Sequence, residues 1–256
     1  MAKVAIDAGH GGSNPGAVFN GRQEKDDVLR LAMAVGDILE QNGVDVFYTR
    51  TEDVFQTPFQ KAVLANEADA DWLVSIHRNS SPIPNQYTGV ETLVYDKSGE
   101  KVQLAENINE ELEKAGFRNI GVKERPGLVI LRRSKMPAVL VEAGFINSEE
   151  DNRLFDEEFD QIANGIAQGI LRTLEMQATG GGNETEMFYR VQTGAYRNRE
   201  NADRQLEKLK REGYPAFILL KEGYYLVQVG AFRNLSNAVR MEGILRSQGY
   251  QTYITT

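Results

Sequence analysis

The sequence predicts an α/β protein, a twisted and mostly parallel sheet flanked by helices, followed by a small α+β domain of ferredoxin-like β-α-β-β-α-β order. Three observations carry this expectation. Over residues 1–175, short apolar runs alternate with stretches of helical spacing, the pattern of a sheet covered by helices on both faces. Residues 188–256 contain an internal repeat. Between the two, residues 176–187 are polar and aperiodic and hold three successive glycines, Gly180, Gly181 and Gly182, which reads as a flexible linker.

The elements follow in order. Residues 3–7 form an apolar strand that runs into a glycine-rich loop. Residues 25–42 place Val28, Leu31, Ala32, Val35, Ile38 and Leu39 on one helical stripe, with Gly43 set to end the helix. Residues 45–49 read as a strand, 59–68 as a helix, 71–76 as a buried strand and 90–95 as another strand. Val102, Ala105, Ile108 and Leu112 make a second helical stripe. Short strands are expected at 128–131 and 138–141, and a closing helix carries Phe159, Ile162, Ala163, Ile166, Ile170 and Leu174. In the repeat, residues 188–196 match residues 224–232 at an offset of 36. The same offset aligns Asn201-Ala202 with Asn237-Ala238 and Gly213-Tyr214 with Gly249-Tyr250. Each copy reads strand, helix, strand, and two copies give the ferredoxin-like order.

Composition narrows the chemistry. The chain has 256 residues, no cysteine and two histidines, so disulfides and thiolate metal sites are excluded and any metal must be held by nitrogen and oxygen. The net charge of −8 is uneven, −11 over residues 1–183 and +3 over residues 184–256, consistent with two domains of different surface or simply with two solvated surfaces. No apolar run is long enough to span a bilayer, and the N-terminus lacks the long apolar region of a signal peptide. We therefore expect synthesis in the cytoplasm and arrival at an extracellular site through lysis or non-classical export.

His10 and His77 each follow a buried strand, at Ala8-Gly9-His10-Gly11-Gly12 and Ser75-Ile76-His77-Arg78-Asn79. Carboxyl ends of strands in an open α/β sheet face the binding crevice, so two imidazoles there can meet. Glu24, at the start of the first helix, would complete a His2Glu set with one position left for water, as catalytic zinc sites require. The alternative is that Glu24, like Asp26 and Asp27, only answers the helix dipole. Glu142 closes the apolar run Val139-Leu140-Val141 and reads either as a general base beside the metal or as the partner of Arg132 or Arg133. The glycines around His10 fit neither a dinucleotide nor a Walker A spacing. They read as permitting positive φ and close backbone approach.

These pieces resemble the zinc-dependent N-acetylmuramoyl-L-alanine amidases of the third type. Ile6 to Gly12, Pro15-Gly16-Ala17, Glu24-Lys25, Thr49-Arg50, Ala65-Asn66, Ser75 to Asn79, Gly89 to Thr92 and Met136 to Phe145 carry the resemblance across nearly all of residues 1–175. It implies Zn2+ on His10, Glu24 and His77, Glu142 as the catalytic glutamate, and hydrolysis of the amide joining N-acetylmuramic acid to L-alanine in peptidoglycan. The family usually has proline at Ala8, a small residue at Arg78 and arginine at Lys61, and the order of Asn147-Ser148 is reversed. Arg78 and Asn79, beside the site, are expected to touch substrate. Some relatives insert an autoinhibitory helix between the second histidine and the glutamate. Here 64 residues lie between His77 and Glu142, and an open site is expected.

Residues 188–256 resemble a SPOR domain, a peptidoglycan-binding module, through the paired Val-Gln-x-Gly-Ala-aromatic motifs. Strand alternation puts Phe188, Arg190 and Gln192 on one face, and Tyr224 and Gln228 likewise. Phe188, Arg190, Gln192, Tyr224 and Gln228 are the expected glycan contacts, unless some of them face the helices as core. Peptidoglycan is the expected partner, with no membrane and no nucleic acid, since the RNA-stacking motif is missing. A monomer is favoured. The rival readings are a non-catalytic wall-binding adaptor and a nucleotide-binding protein using the glycine-rich loop.

Overall fold

A computed structural model describes residues 2–178, 189–221, 223–232 and 235–255. The chain divides into two compact units, Met1–Gly181 and Gly182–Thr256. Most of the expected linker, from residue 179 on, lies outside the described residues, as does Phe188.

The first unit runs β1 (Lys3–Ala8), β2 (Val18–Phe19), β3 (Arg22–Gln23), α1 (Glu24–Gln41), β4 (Asp45–Tyr48), α2 (Pro58–Glu67), β5 (Trp72–Asn79) and β6 (Val90–Val94), then α3 (Glu100–Lys114), β7 (Asn119–Glu124), α4 (Val129–Arg133), β8 (Ala138–Phe145), α5 (Glu149–Glu157) and α6 (Phe159–Ala178). Six strands form one sheet in the order β4-β1-β5-β8-β6-β7. All neighbours are parallel except β6 and β8. The mostly parallel sheet read from the sequence is therefore what forms. Alternation along the strands feeds two cores. Val4, Ile6, Val74, Ile76, Val139 and Val141 pack with α1, α3 and α6. Ala5, Leu73, Leu93 and Leu140 pack with α2 and α4. At roughly 1.5–3 kcal/mol for each fully buried large aliphatic side chain, the first and larger core dominates the stability of this unit.

Several expectations need correction. The apolar run at 128–131 is not a strand. Val129–Arg133 is a short helix whose Ile130 and Leu131 are buried. A run of four apolar residues has no period long enough to separate one helical turn from a strand. Strand β7 and helix α5 were not legible in the sequence. β7 buries neither face fully, and α5 buries only Asp151 and Phe155. β5 and β8 run on to Asn79 and Phe145, so His77 and Glu142 lie inside strands rather than at their ends. α6 continues to Ala178, into the stretch read as linker.

The second unit runs β9 (Tyr189–Tyr196), α7 (Arg199–Arg211), β10 (Phe217–Lys221), β11 (Tyr224–Phe232), α8 (Leu235–Ser247) and β12 (Tyr253–Thr255). Its antiparallel sheet has the order β10-β11-β9-β12, the ferredoxin-like arrangement. Val191, Val227 and Val229 meet Ala202, Leu209, Ala238 and Leu245 from the helices in its core.

Candidate active site

Three adjacent strands and one helix start bring the site together. β1 and β5 are parallel neighbours with Ala8 opposite Ile76, so His10 and His77 emerge side by side. Their ring centroids are 4.8 Å apart at an interplanar angle of 77°. β8 lies on the other side of β5 with Glu142 opposite His77. Glu24 is the first residue of α1.

The Glu24 carboxylate stands between the imidazoles. Its Oε1 is 3.0 Å from His10 Nε2 and 2.9 Å from His77 Nδ1. Oε1 also accepts from the Arg78 backbone N–H at 3.1 Å, and Oε2 accepts from the Ala17 N–H at 2.9 Å. None of these donors belongs to the first turn of α1, so the carboxylate serves the imidazoles and not its own helix end. Burial alone would raise its pKa, and the hydrogen bonds from His10 and His77 outweigh burial and hold it far below the usual carboxylate range. Burial pushes the His77 pKa down, but the Glu24 carboxylate more than reverses this.

Backbone geometry serves this convergence. A Cβ on Gly9 would lie 2.4 Å from His77 Cε1. One on Gly16, at φ +70°, would lie 2.5 Å from Glu24 Oε2. His10 itself has φ 57°, a left-handed conformation that costs about 1–2 kcal/mol for a residue with a Cβ. His10 Nδ1 is 3.2 Å from Asn14 Oδ1. Because Asn14 Oδ1 can only accept, a neutral His10 ring that binds metal through Nε2 would carry its proton on Nδ1.

Beneath the site, Asp7 is buried with Lys61 Nζ at 2.8 Å, Thr49 Oγ1 at 2.6 Å and Ser75 Oγ at 2.6 Å. Burial would raise the Asp7 pKa, but Lys61 and these hydroxyls hold it below its ordinary value. Arg50 donates to the carbonyls of Ala8 at 3.0 Å, Gly9 at 2.7 Å and Lys25 at 3.0 Å, fastening the His10 loop to the start of α1. Glu142 differs from all these groups. Its Oε2 is buried with no hydrogen-bond partner among the described residues. Neither Arg132 nor Arg133 pairs with it. Burial pushes its pKa up to about 7, reinforced by Glu24 and Glu91 and opposed by His77. A carboxyl poised there can take or give a proton near neutral pH.

Two neighbours were expected to face substrate. Arg78 does not. Because β5 continues through it, alternation sends its side chain to the opposite face, where it is fully buried and 2.6 Å from Asp27 Oδ2. The expectation of substrate contact at Arg78 is thus corrected. Asn79 returns to the site face half-buried, and its Nδ2 donates to Glu91 Oε1 at 2.9 Å. Glu91, ion-paired with Lys123, was missed by the sequence reading. So was Asn14, although its spacing of four from His10 was visible.

Two imidazole nitrogens and one carboxylate oxygen, all within 4.8 Å of one another, make a donor set that suits a borderline ion such as zinc. Charge accounting agrees, because one buried carboxylate with two imidazoles accommodates a cation. In the second unit, Arg190, Gln192, Tyr224 and Gln228 line one groove of about 570 Å³ together with Lys221 and Leu226. Gln192 and Gln228 are directly paired across β9 and β11, and Gln228 Oε1 is buried without a partner among the described residues.

Residues 4–172 match the model of the N-acetylmuramoyl-L-alanine amidase family Amidase_3, and residues 186–222 and 221–256 match that of the SPOR domain. The chain belongs to the Amidase_3 family. The sporulation-specific N-acetylmuramoyl-L-alanine amidase of Bacillus subtilis (strain 168) is 35% identical over 228 residues, covering 87% of this chain and 86% of that protein. An endolysin of Bacillus phage SPP1 is 36% identical over 191 residues, covering 72% and 70%. Among solved structures, the N-acetylmuramoyl-L-alanine amidase of Clostridium difficile 630 superposes with a TM-score of 0.65 at 34% identity, covering 71% of this chain and 98% of that one. This amidase therefore acts on peptidoglycan and carries a cell-wall-binding SPOR domain. No helix among its described residues is long and apolar enough to cross a membrane.

Proposed function

We propose that His10, Glu24 and His77 hold a zinc ion, and that Glu142 is the acid–base residue for hydrolysis of the amide between the lactyl carbonyl of N-acetylmuramic acid and L-alanine. The observation that carries this reading is the meeting of Glu24 with both imidazoles, at 3.0 and 2.9 Å, beside an unpartnered Glu142. Zinc, when bound, supplies a Lewis acid for the carbonyl and lowers the pKa of water to about 7.

The chain's own residues do the rest. Asn14 fixes the His10 ring, and the amides of Ala17 and Arg78 orient the Glu24 carboxylate. Glu142 Oε2, free of donors among the described residues, accepts the proton of the attacking water and hands it to the leaving L-alanine nitrogen. Its raised pKa suits both transfers. Asn79, braced by Glu91, is placed to hydrogen-bond substrate. Arg190, Gln192, Tyr224 and Gln228 form the glycan-binding face of the second unit, with Phe188 as a further contact. Residues 1–178, to the end of α6, are the catalytic domain, the stretch from there to 187 the linker and 188–256 the SPOR domain.

The test is release of L-alanine amino termini from purified wall. Glu142→Gln should lower release by about 10²–10⁴-fold, as expected for loss of general acid–base catalysis, while zinc content stays at one ion per chain. His10→Ala should lose both zinc and release. A chelator should stop the unaltered enzyme. An unaltered chain that binds wall but releases nothing with zinc present would make this protein an adaptor instead.

A further inference from the structure

We propose that Arg78 is a positioning residue: from the far face of β5 it fixes the first turn of α1, and so sets where the Glu24 carboxylate stands relative to His77. This inference rests on the reading of His10, Glu24 and His77 as zinc ligands.

The residue grips α1 at two points. Its backbone N–H donates to Glu24 Oε1 at 3.1 Å, and its Nη1 lies 2.6 Å from Asp27 Oδ2. Asp27 follows Glu24 by three positions, so the two share a helix face. Both grips come from the strand that carries His77. The Gln23 side chain makes no capping bond, and Arg50, which donates to the Lys25 carbonyl, ties the helix start to the His10 loop and not to β5. The backbone N–H groups of Glu24 and Lys25 donate to Ala17 and Pro15, which belong to the preceding loop and not to the sheet.

The same guanidinium reaches the strand of Glu142. Nη2 donates to Asn152 Oδ1 at 2.7 Å, and Nε and Nη2 approach the carbonyls of Gly144 and Phe145 at 3.4 Å each. Its Cζ sits 4.2 Å above the Phe155 ring. Arg22 braces the arrangement from outside, with Nε 2.6 Å from Asp27 Oδ2 and two bonds to Asp156 at 2.9 and 2.8 Å. One fully buried side chain therefore joins the elements that carry Glu24, His77 and Glu142. A buried ion pair is weak evidence for stability, since apolar replacement of both partners is often neutral. Its fixed geometry is what a metal site uses, and the groups that hold metal ligands in place typically govern affinity by 10–100-fold. Lysine lacks the planar fork that meets Asp27, Asn152 and the two carbonyls at once.

The experiment measures zinc affinity of the full chain by competition with a chromophoric chelator, beside the melting temperature of the metal-free chain. The double variant Arg78→Met with Asp27→Leu removes both charges together, so neither is orphaned. It should melt within a few degrees of the unaltered chain and bind zinc about 10–100-fold more weakly. Arg78→Lys should fall between. Wild-type zinc affinity in the folded double variant would overturn the proposal. Should that variant not fold, Asn152→Ala decides, because it removes one acceptor at a half-buried position. A severalfold loss of affinity at unchanged melting temperature is expected, and unchanged affinity overturns the proposal. Failure of the unaltered chain to bind zinc would instead overturn the ligand reading, and this proposal with it.

Discussion

At position 14 an asparagine orients the His10 ring. Its Oδ1 accepts hydrogen bonds from His10 Nδ1 at 3.2 Å and from the Gly16 N–H at 3.0 Å. Asn14→Ala should therefore weaken zinc binding by about 10-fold or more with little change in melting temperature, measured by chelator competition. Both histidines and Glu142 were legible in the sequence because charged or polar groups after apolar strands are costly without a purpose. Asn14 was not, because a polar loop residue carries no such signal. Arg78 was misread for a physical reason. Its direction depends on whether β5 stops at His77 or runs to Asn79, and a one-residue difference in a strand changes which face a side chain takes.

Among the elements, the join between β1 and α2 is sensitive to acid. Asp7 is the β1 end of that join and Lys61 the α2 end. Because the folded-state pKa of Asp7 lies below its ordinary value of 3.8, its contribution is complete above that pH and is lost as pH falls through the folded value. The double variant Asp7→Asn with Lys61→Gln should show a flatter dependence of melting temperature on pH below about 4 than the unaltered chain. Parallel slopes would count against this assignment. α2 itself begins with a complete capping box between Thr57 and Gln60. Thr57→Ala should cost about 1 kcal/mol in urea denaturation. The long stripes of α1, α3 and α6 were readable because each repeats over several turns. α4 spans barely one turn, and α5 is mostly polar, so neither offers a period to read.

At the scale of the whole molecule, two units with separate cores divide cutting from holding. A chain ending at residue 178 should cleave a soluble muramoyl-dipeptide as the full chain does. It should lose about 10²-fold on insoluble wall, where tethering raises effective concentration. Equal activity on both substrates would show that the second unit adds no retention. The division was legible from the change in charge balance and the repeat, which depend on composition and register and not on any single contact.

The repeat has one more outcome. Gln192 and Gln228 face each other on antiparallel strands, so a glycan held in this groove as proposed would meet the two copies head toward tail. Such a cradle is almost blind to which way a strand is threaded. The exception is where the copies diverge, with Arg190 in one standing at the place of Leu226 in the other. That mismatch, together with Leu219 in one copy at the place of Thr255 in the other, gives the groove a left and a right, and a glycan bound there as proposed would be held with a sense of direction.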